Sequence, residues 1–165
     1  MKVIMILDQV QSGYGTKNDK MIPLTGTKEI IGPGVIMKPY LKEIDGNIVA
    51  TLYCGTGTYL ENPEEVSGKL CGMVKRLNPD VVICGPSLSY ADSASMCAKV
   101  AYDIVTTTST KALAAISEDS SEVIDMYNDK VTIIKTPNKG ASGLREAFKN
   151  ICSVAKRLVD SNKIE

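Results

Sequence analysis

Cys54 and Cys84 each close an apolar run and lead into small, hydroxyl-bearing segments, Cys54-Gly55-Thr56-Gly57-Thr58 and Cys84-Gly85-Pro86-Ser87-Leu88-Ser89-Tyr90. Residues of this kind could do thiolate chemistry, since a helix N-terminus after the cysteine lowers a thiol pKa. They could equally plug the ends of buried strands, because cysteine is among the most buried residue types. Tyr90 and Asp92 add groups able to move a proton, although Asp92 could also cap a helix.

A further segment, Thr136-Pro137-Asn138-Lys139-Gly140-Ala141-Ser142-Gly143, precedes a long amphipathic pattern. The free N–H groups at the start of such a helix could hold a carboxylate or phosphate, helped by Lys139 and Arg145. The plain alternative is a polar cap. With the loop from Asp8 to Thr16, these segments make the candidate ligand contacts Gly55, Thr56, Gly85, Pro86, Ser87, Ser89, Tyr90, Asn138, Gly140 and Ser142.

Several chemistries are excluded or weakened. The chain has no histidine, which removes Ser–His and Cys–His schemes within it and most ordinary zinc sites; no metal site is expected. The phosphate-binding pattern G-x-x-x-x-G-K-[ST] is absent. Gly55-Thr56-Gly57-Thr58 is not G-x-G-x-x-G, and no acidic residue follows the next strand to hold a ribose. The five cysteines are scattered, with no C-x-x-C pair, and read as free thiols of a reducing compartment.

Lys+Arg and Asp+Glu balance at 19 each, and no basic cluster is interleaved with aromatics, so a nucleic-acid partner is not expected. The N-terminal run from Met1 to Val10 is too short for a signal peptide, and no apolar run is long enough to span a bilayer. The protein reads as cytoplasmic.

The elements that must position these residues follow from pattern. Apolar runs at 2–7, 47–55, 80–86 and 130–137, with the β-branched stretch 103–109, read as strands, the second ending in a Gly-Thr-Gly-Thr turn at 55–58. Cys54 and Cys84 would then end two neighbouring strands. Asn62-Pro63-Glu64-Glu65 signals a helix start, and Asn78-Pro79 its stop. Further helices are expected from near Val35, over about 90–101 and near 119–127. The last carries Leu144, Phe148, Ile151, Ala155 and Leu158 on one stripe. Gly32-Pro33-Gly34 fixes a sharp entry into the helix near Val35. Alternation of strand and helix predicts a single α/β domain over 1–165. It is a doubly wound, mainly parallel sheet of about five strands with helices on both faces, flavodoxin-like or Rossmann-like. In such a sheet ligands bind beyond the carboxyl ends of the strands.

Read as an ordered series, GPGVIMKPYL, ATLYCGTGTYLENPEE, LNPDVVICGPSLSYADSASMCAKV and DMYNDKVTIIKTPNKGASGLREAFKNI resemble the N-terminal region of a known family. That family is the component B selenoprotein of glycine, sarcosine and betaine reductase, to which D-proline reductase is related. The likeness runs from Lys2 to about Leu158. It implies an anaerobic amino-acid reductase complex that cleaves a C–N bond reductively, with a small amino acid as substrate. A pyruvoyl-bearing partner subunit captures the amine, and a selenocysteine attacks the α-carbon. That selenocysteine lies in a U-x-x-C-x-x-C-type motif further along the family chain than this sequence reaches. The pyruvoyl group and selenocysteine are therefore expected on partners or missing segments. This chain would be a fragment or a short homologue, not self-sufficient as an enzyme, with other reductase subunits and a second copy of itself as candidate partners. The family pattern more usually has a cysteine near position 54 than at 84, which makes Cys54 the candidate catalytic residue. Two alternatives stay open: a non-catalytic module binding a small carboxylate, and a flavodoxin-like electron carrier. The latter is weakly supported by one Phe and no Trp.

Overall fold

In a computed structural model, which describes residues 1–88, 91–137 and 142–164, the apolar runs form the parallel strands β1 (Lys2–Leu7), β3 (Asn47–Tyr53), β4 (Val81–Ser87), β5 (Lys111–Ser117) and β6 (Thr132–Thr136). A short strand β2 (Thr25–Thr27) pairs antiparallel with β3 at the sheet edge, completing the order β2-β3-β1-β4-β5-β6. Without that edge strand, the order is that of the flavodoxin-like doubly wound sheet.

The central strands are buried on both faces, which is why they read as continuous rather than alternating apolar runs. Along β1, Val3, Met5 and Leu7 face one layer, while Ile4 and Ile6 face the other. The first layer is closed by Met37 and Leu41 of α1 (Pro33–Lys42) and by Phe148, Ile151 and Ala155 of α6 (Leu144–Ile164). The second is closed by Leu70 and Val74 of α3 (Pro63–Leu77), by Met96 and Ile104 of α4 (Ala91–Thr107), and by Ile124 of α5 (Ser121–Tyr127).

Helix α3 follows its sequence signals closely. Asn62 caps it, accepting from the Glu65 N–H at 3.3 Å, Pro63 opens it, and Asn78 ends it in the left-handed conformation at φ 48°. Gly32, at φ 57°, makes the sharp entry into α1; a Cβ there would lie 2.0 Å from the Gln11 carbonyl oxygen. Only glycine fits.

Three expectations are corrected. The stretch 103–109 is not a strand: α4 runs through it to Thr107, and the fifth parallel strand is Lys111–Ser117. The helix survives its β-branched run because Val100, Ala101 and Ile104 are buried against the sheet, while threonine hydroxyls bond back to carbonyls one turn earlier, Thr106 to Tyr102 at 2.8 Å and, just past the helix, Thr108 to Ile104 at 2.6 Å. The segment 55–58 is not a turn, since α2 (Thr56–Glu61) begins there. Cys54 and Cys84 do not end neighbouring strands; β1 lies between β3 and β4, and Cys84 sits inside β4. No described helix is long and apolar enough to cross a membrane.

Candidate functional site

The order in which strands are added to the sheet switches sides between the parallel neighbours β1 and β4. The crossover from β1 to β3 carries α1 on one face, and that from β3 to β4 carries α3 on the other. Such a switch point leaves a crevice beyond the strand ends. The loop after β1 fills much of it. Asp8, 2% exposed, accepts from the Gln11 N–H at 2.7 Å, and the Ser12 hydroxyl donates to the Gln9 carbonyl at 3.0 Å. The other Asp8 carboxylate oxygen accepts from the hydroxyl of Ser93 in the first turn of α4.

The same loop covers the start of α2. The N–H groups of Gly55 and Gly57 donate to the carbonyls of Ile22 and Lys20, each at 2.8 Å, and that of Thr56 to the Gln9 side chain at 3.1 Å. Gly55 permits this approach, because a Cβ there would stand 2.1 Å from the Lys20 oxygen. The backbone donors of Gly55 and Thr56 are therefore engaged internally. The Thr56 residue itself is buried. Tyr14 stacks on Tyr53 with ring centres 4.9 Å apart and fences the outer side of this loop.

The candidate thiol is sealed. Cys54 has no exposed surface, and its Sγ–H donates to the Gly55 carbonyl at 3.4 Å. Burial pushes its pKa up to about 11, opposed by a backbone hydrogen bond from Tyr59. Cys84 is fully buried and raised further, first by burial and then by Cys97 and Cys71. Burial also raises Cys97, with the Asp8 carboxylate adding to the effect and the Ser93 hydrogen bond opposing it. At neutral pH these are thiols rather than thiolates.

Beyond Cys84, Gly85 has φ 108°, and a Cβ on it would meet the Ala115 carbonyl oxygen at 2.5 Å. The Gly85–Pro86 peptide is cis, and β4 carries an extra residue relative to β5 there. Ser87 ends the strand fully buried, its hydroxyl without a hydrogen-bond partner among the described residues, and Thr136 at the end of β6 is alike. A buried hydroxyl left unpaired costs about 1–3 kcal/mol, so these two are the costly polar groups at this end of the sheet. Ser142 stands two residues before α6, next to Gly143 at φ 92°. Of the other expected contacts, Ser89, Tyr90, Asn138 and Gly140 lie outside the described residues. Among the described residues, no group of three or more acids or cysteines is placed to hold a metal ion.

Asp8 and Ser93 are the residues that sequence reasoning missed as a pair. Asp8 was visible only as the start of a polar loop, and nothing in the spacing joins positions 85 residues apart.

Comparison with known proteins places this geometry in context. The model of the family described as glycine/sarcosine/betaine reductase selenoprotein B matches residues 1–165. A glycine reductase complex component B subunit gamma from Carboxydothermus hydrogenoformans is 28% identical over 81% of this chain and 30% of its own. One from Symbiobacterium thermophilum is 25% identical over 100% of this chain and 38% of its own. A sarcosine reductase complex component B subunit beta from Peptoclostridium acidaminophilum is 24% identical over 95% of this chain and 35% of its own. The chain thus spans about a third of the length of the curated relatives it matches. Among solved structures, a phosphoheptose isomerase from Francisella tularensis is similar over 96% of this chain and 75% of its own, at 12% identity and a TM-score of 0.42.

Proposed function

Because this chain belongs to the glycine/sarcosine/betaine reductase selenoprotein B family, we propose that it serves as the component B part of an amino-acid reductase complex. Its task is to shape the substrate pocket and dock the other subunits while a C–N bond of a small amino acid is cleaved reductively. The observation that carries this reading is the family match along the whole chain, 1–165. The relatives' names supply glycine and sarcosine as the first substrates to test; betaine and D-proline are the wider set. The sequence contains no selenocysteine, so the attacking selenol, like the pyruvoyl group that captures the amine, belongs to other segments or subunits.

Within this reading the strand-end crevice is the working surface. Asp8 and Ser93 pin the loop after β1 to α4, and Gly55 lets that loop close over α2. Ser87, Ser142 and the turn at Gly85 and Pro86 border the same end of the sheet. The test is association: the chain is mixed with the remaining subunits of a glycine or sarcosine reductase complex and run through size exclusion. Co-elution is expected, and separate elution at micromolar concentration would contradict the reading.

The hydroxyls of Ser87 and Thr136, unpaired among the described residues, favour one second reading, a module that binds a small carboxylate without taking part in catalysis. The two differ in one measurable respect. A stand-alone binding module takes its ligand but does not co-elute with reductase subunits.

A further inference from the structure

At the β2 edge of the sheet, α3 reaches past the last strand that could lie beneath it. β2 pairs only with Thr51–Tyr53, so β3 before Thr51 has no outer neighbour among the described strands. Helix α3 buries Val66, Leu70 and Val74 against the sheet. Met73 and Leu77, four residues apart, lie together along its flank instead. Met73 is half-buried, and Leu77 is 41% exposed. Gly26 draws β2 close to them, since a Cβ there would stand 3.1 Å from Leu52 Cδ2 and 3.2 Å from Met73 Cε.

The overhang leaves a hollow of about 390 Å³, lined by Ala50 and Leu52 of β3, Gly26 and Thr27 of β2, and Met73 and Leu77 of α3. Lys28 and Arg76 complete the lining, and both are exposed. No acidic side chain lines it, and among the described residues neither cation makes an ion pair. The hollow lies along the edge of the sheet, where Ala50 and Leu52 belong to the body of β3 rather than to the loop beyond its end.

Small-molecule sites are mostly apolar concavities of about 300–1,000 Å³ with a few polar groups that fix orientation. This hollow stands at the small end of that range, with room for one short chain or one ring. Its apolar lining gains by excluding water, which calls for an apolar body. Its two cations set the sign of the other end. The planar fork of Arg76 matches a carboxylate in two parallel hydrogen bonds, and Lys28 adds a point charge. We propose that this hollow binds an apolar carboxylate, its hydrocarbon body against Ala50, Leu52, Met73 and Leu77 and its carboxylate held by Arg76 and Lys28. The assignment is independent of the complex reading, because the site shares no residue with the strand-end crevice.

The test is a calorimetric or NMR titration of the chain with butyrate, hexanoate, octanoate and hexylammonium at low salt. Saturable binding of hexanoate and octanoate is expected, tightening about threefold to fourfold per methylene from butyrate upward. Hexylammonium, with the same body and the opposite charge, should bind at least tenfold more weakly than hexanoate. The double variant Arg76→Gln, Lys28→Gln should weaken octanoate at least fivefold, and Leu77→Glu at least tenfold. All three side chains are exposed, and circular dichroism verifies that the variants are folded. The proposal is overturned if neither hexanoate nor octanoate saturates, whether or not the chain self-associates through this face. It is equally overturned if hexylammonium binds as well as hexanoate, or if the variants bind octanoate as the unaltered chain does.

Discussion

The hydroxyl of Ser93 donates to the carboxylate of Asp8 across 85 residues of sequence, inside the protein and at the point where the strand order switches sides. Asp8 has no cation beside it among the described ion pairs, so its charge is held by this hydroxyl and by the Gln11 N–H. Removing the hydroxyl leaves a buried carboxylate short of one donor. Ser93→Ala is expected to cost about 1–3 kcal/mol in urea unfolding. In an Asp8→Asn background the same change should cost less, by a coupling of about 0.5–3 kcal/mol in the double-mutant cycle. Additive costs would show that the contact does not tie the loop to α4.

Glycines of two kinds separate close approach from chain entropy. Gly55→Ala places a methyl 2.1 Å from the Lys20 carbonyl oxygen and must push the 20–22 segment off α2. An overpacking cost of about 2–3 kcal/mol is expected. Gly68 lies within α3 with nothing within 4 Å of an added Cβ, so Gly68→Ala should stabilise by about 0.5–1 kcal/mol. Midpoints of denaturant unfolding measure both, and similar signs would contradict the packing described for the loop over α2.

The cysteines give the fold an alkaline limit. Burial pushes Cys54 and Cys152 each up to about 11 from an ordinary 9.0. Below pH 9 both states hold the proton, and this contribution to stability is present in full. Between pH 9 and 11 the unfolded chain releases protons that the folded chain keeps, so stability falls as pH rises. The slope is at most about 1.4 kcal/mol per pH unit for each thiol. Cys54→Ala should flatten that slope. At pH 8, iodoacetamide should label Cys54 only after denaturation; rapid labelling of the native chain would restore it as an attacking thiol.

How far the sequence revealed this fold depends on where burial agreed with local propensity. Strands β1 and β4 were legible because Val, Ile and Leu run unbroken where both faces are covered. Helix α3 was legible because Asn62, Pro63, Glu65 and Asn78 carry its caps. β5 was not: Ala112, Ala114 and Ala115 are poor strand formers, tolerated because α4 and α6 pack closely on the two faces there. The neighbouring Ile-Val-Thr-Thr-Thr run looked like a strand for the same reason in reverse. At the site, the loops after β1, β3 and β4 could be read as polar and small. That the first loop covers the α2 donors, and that Asp8 reaches Ser93, are tertiary facts with no local trace.

The central claim is that this chain works as the component B part of an amino-acid reductase complex. Glycine and sarcosine turnover by a reconstituted complex, with and without the chain, tests it most directly. Turnover should depend on the chain, falling to background without it and returning on its addition. Undiminished reduction by a complex lacking it would contradict the account.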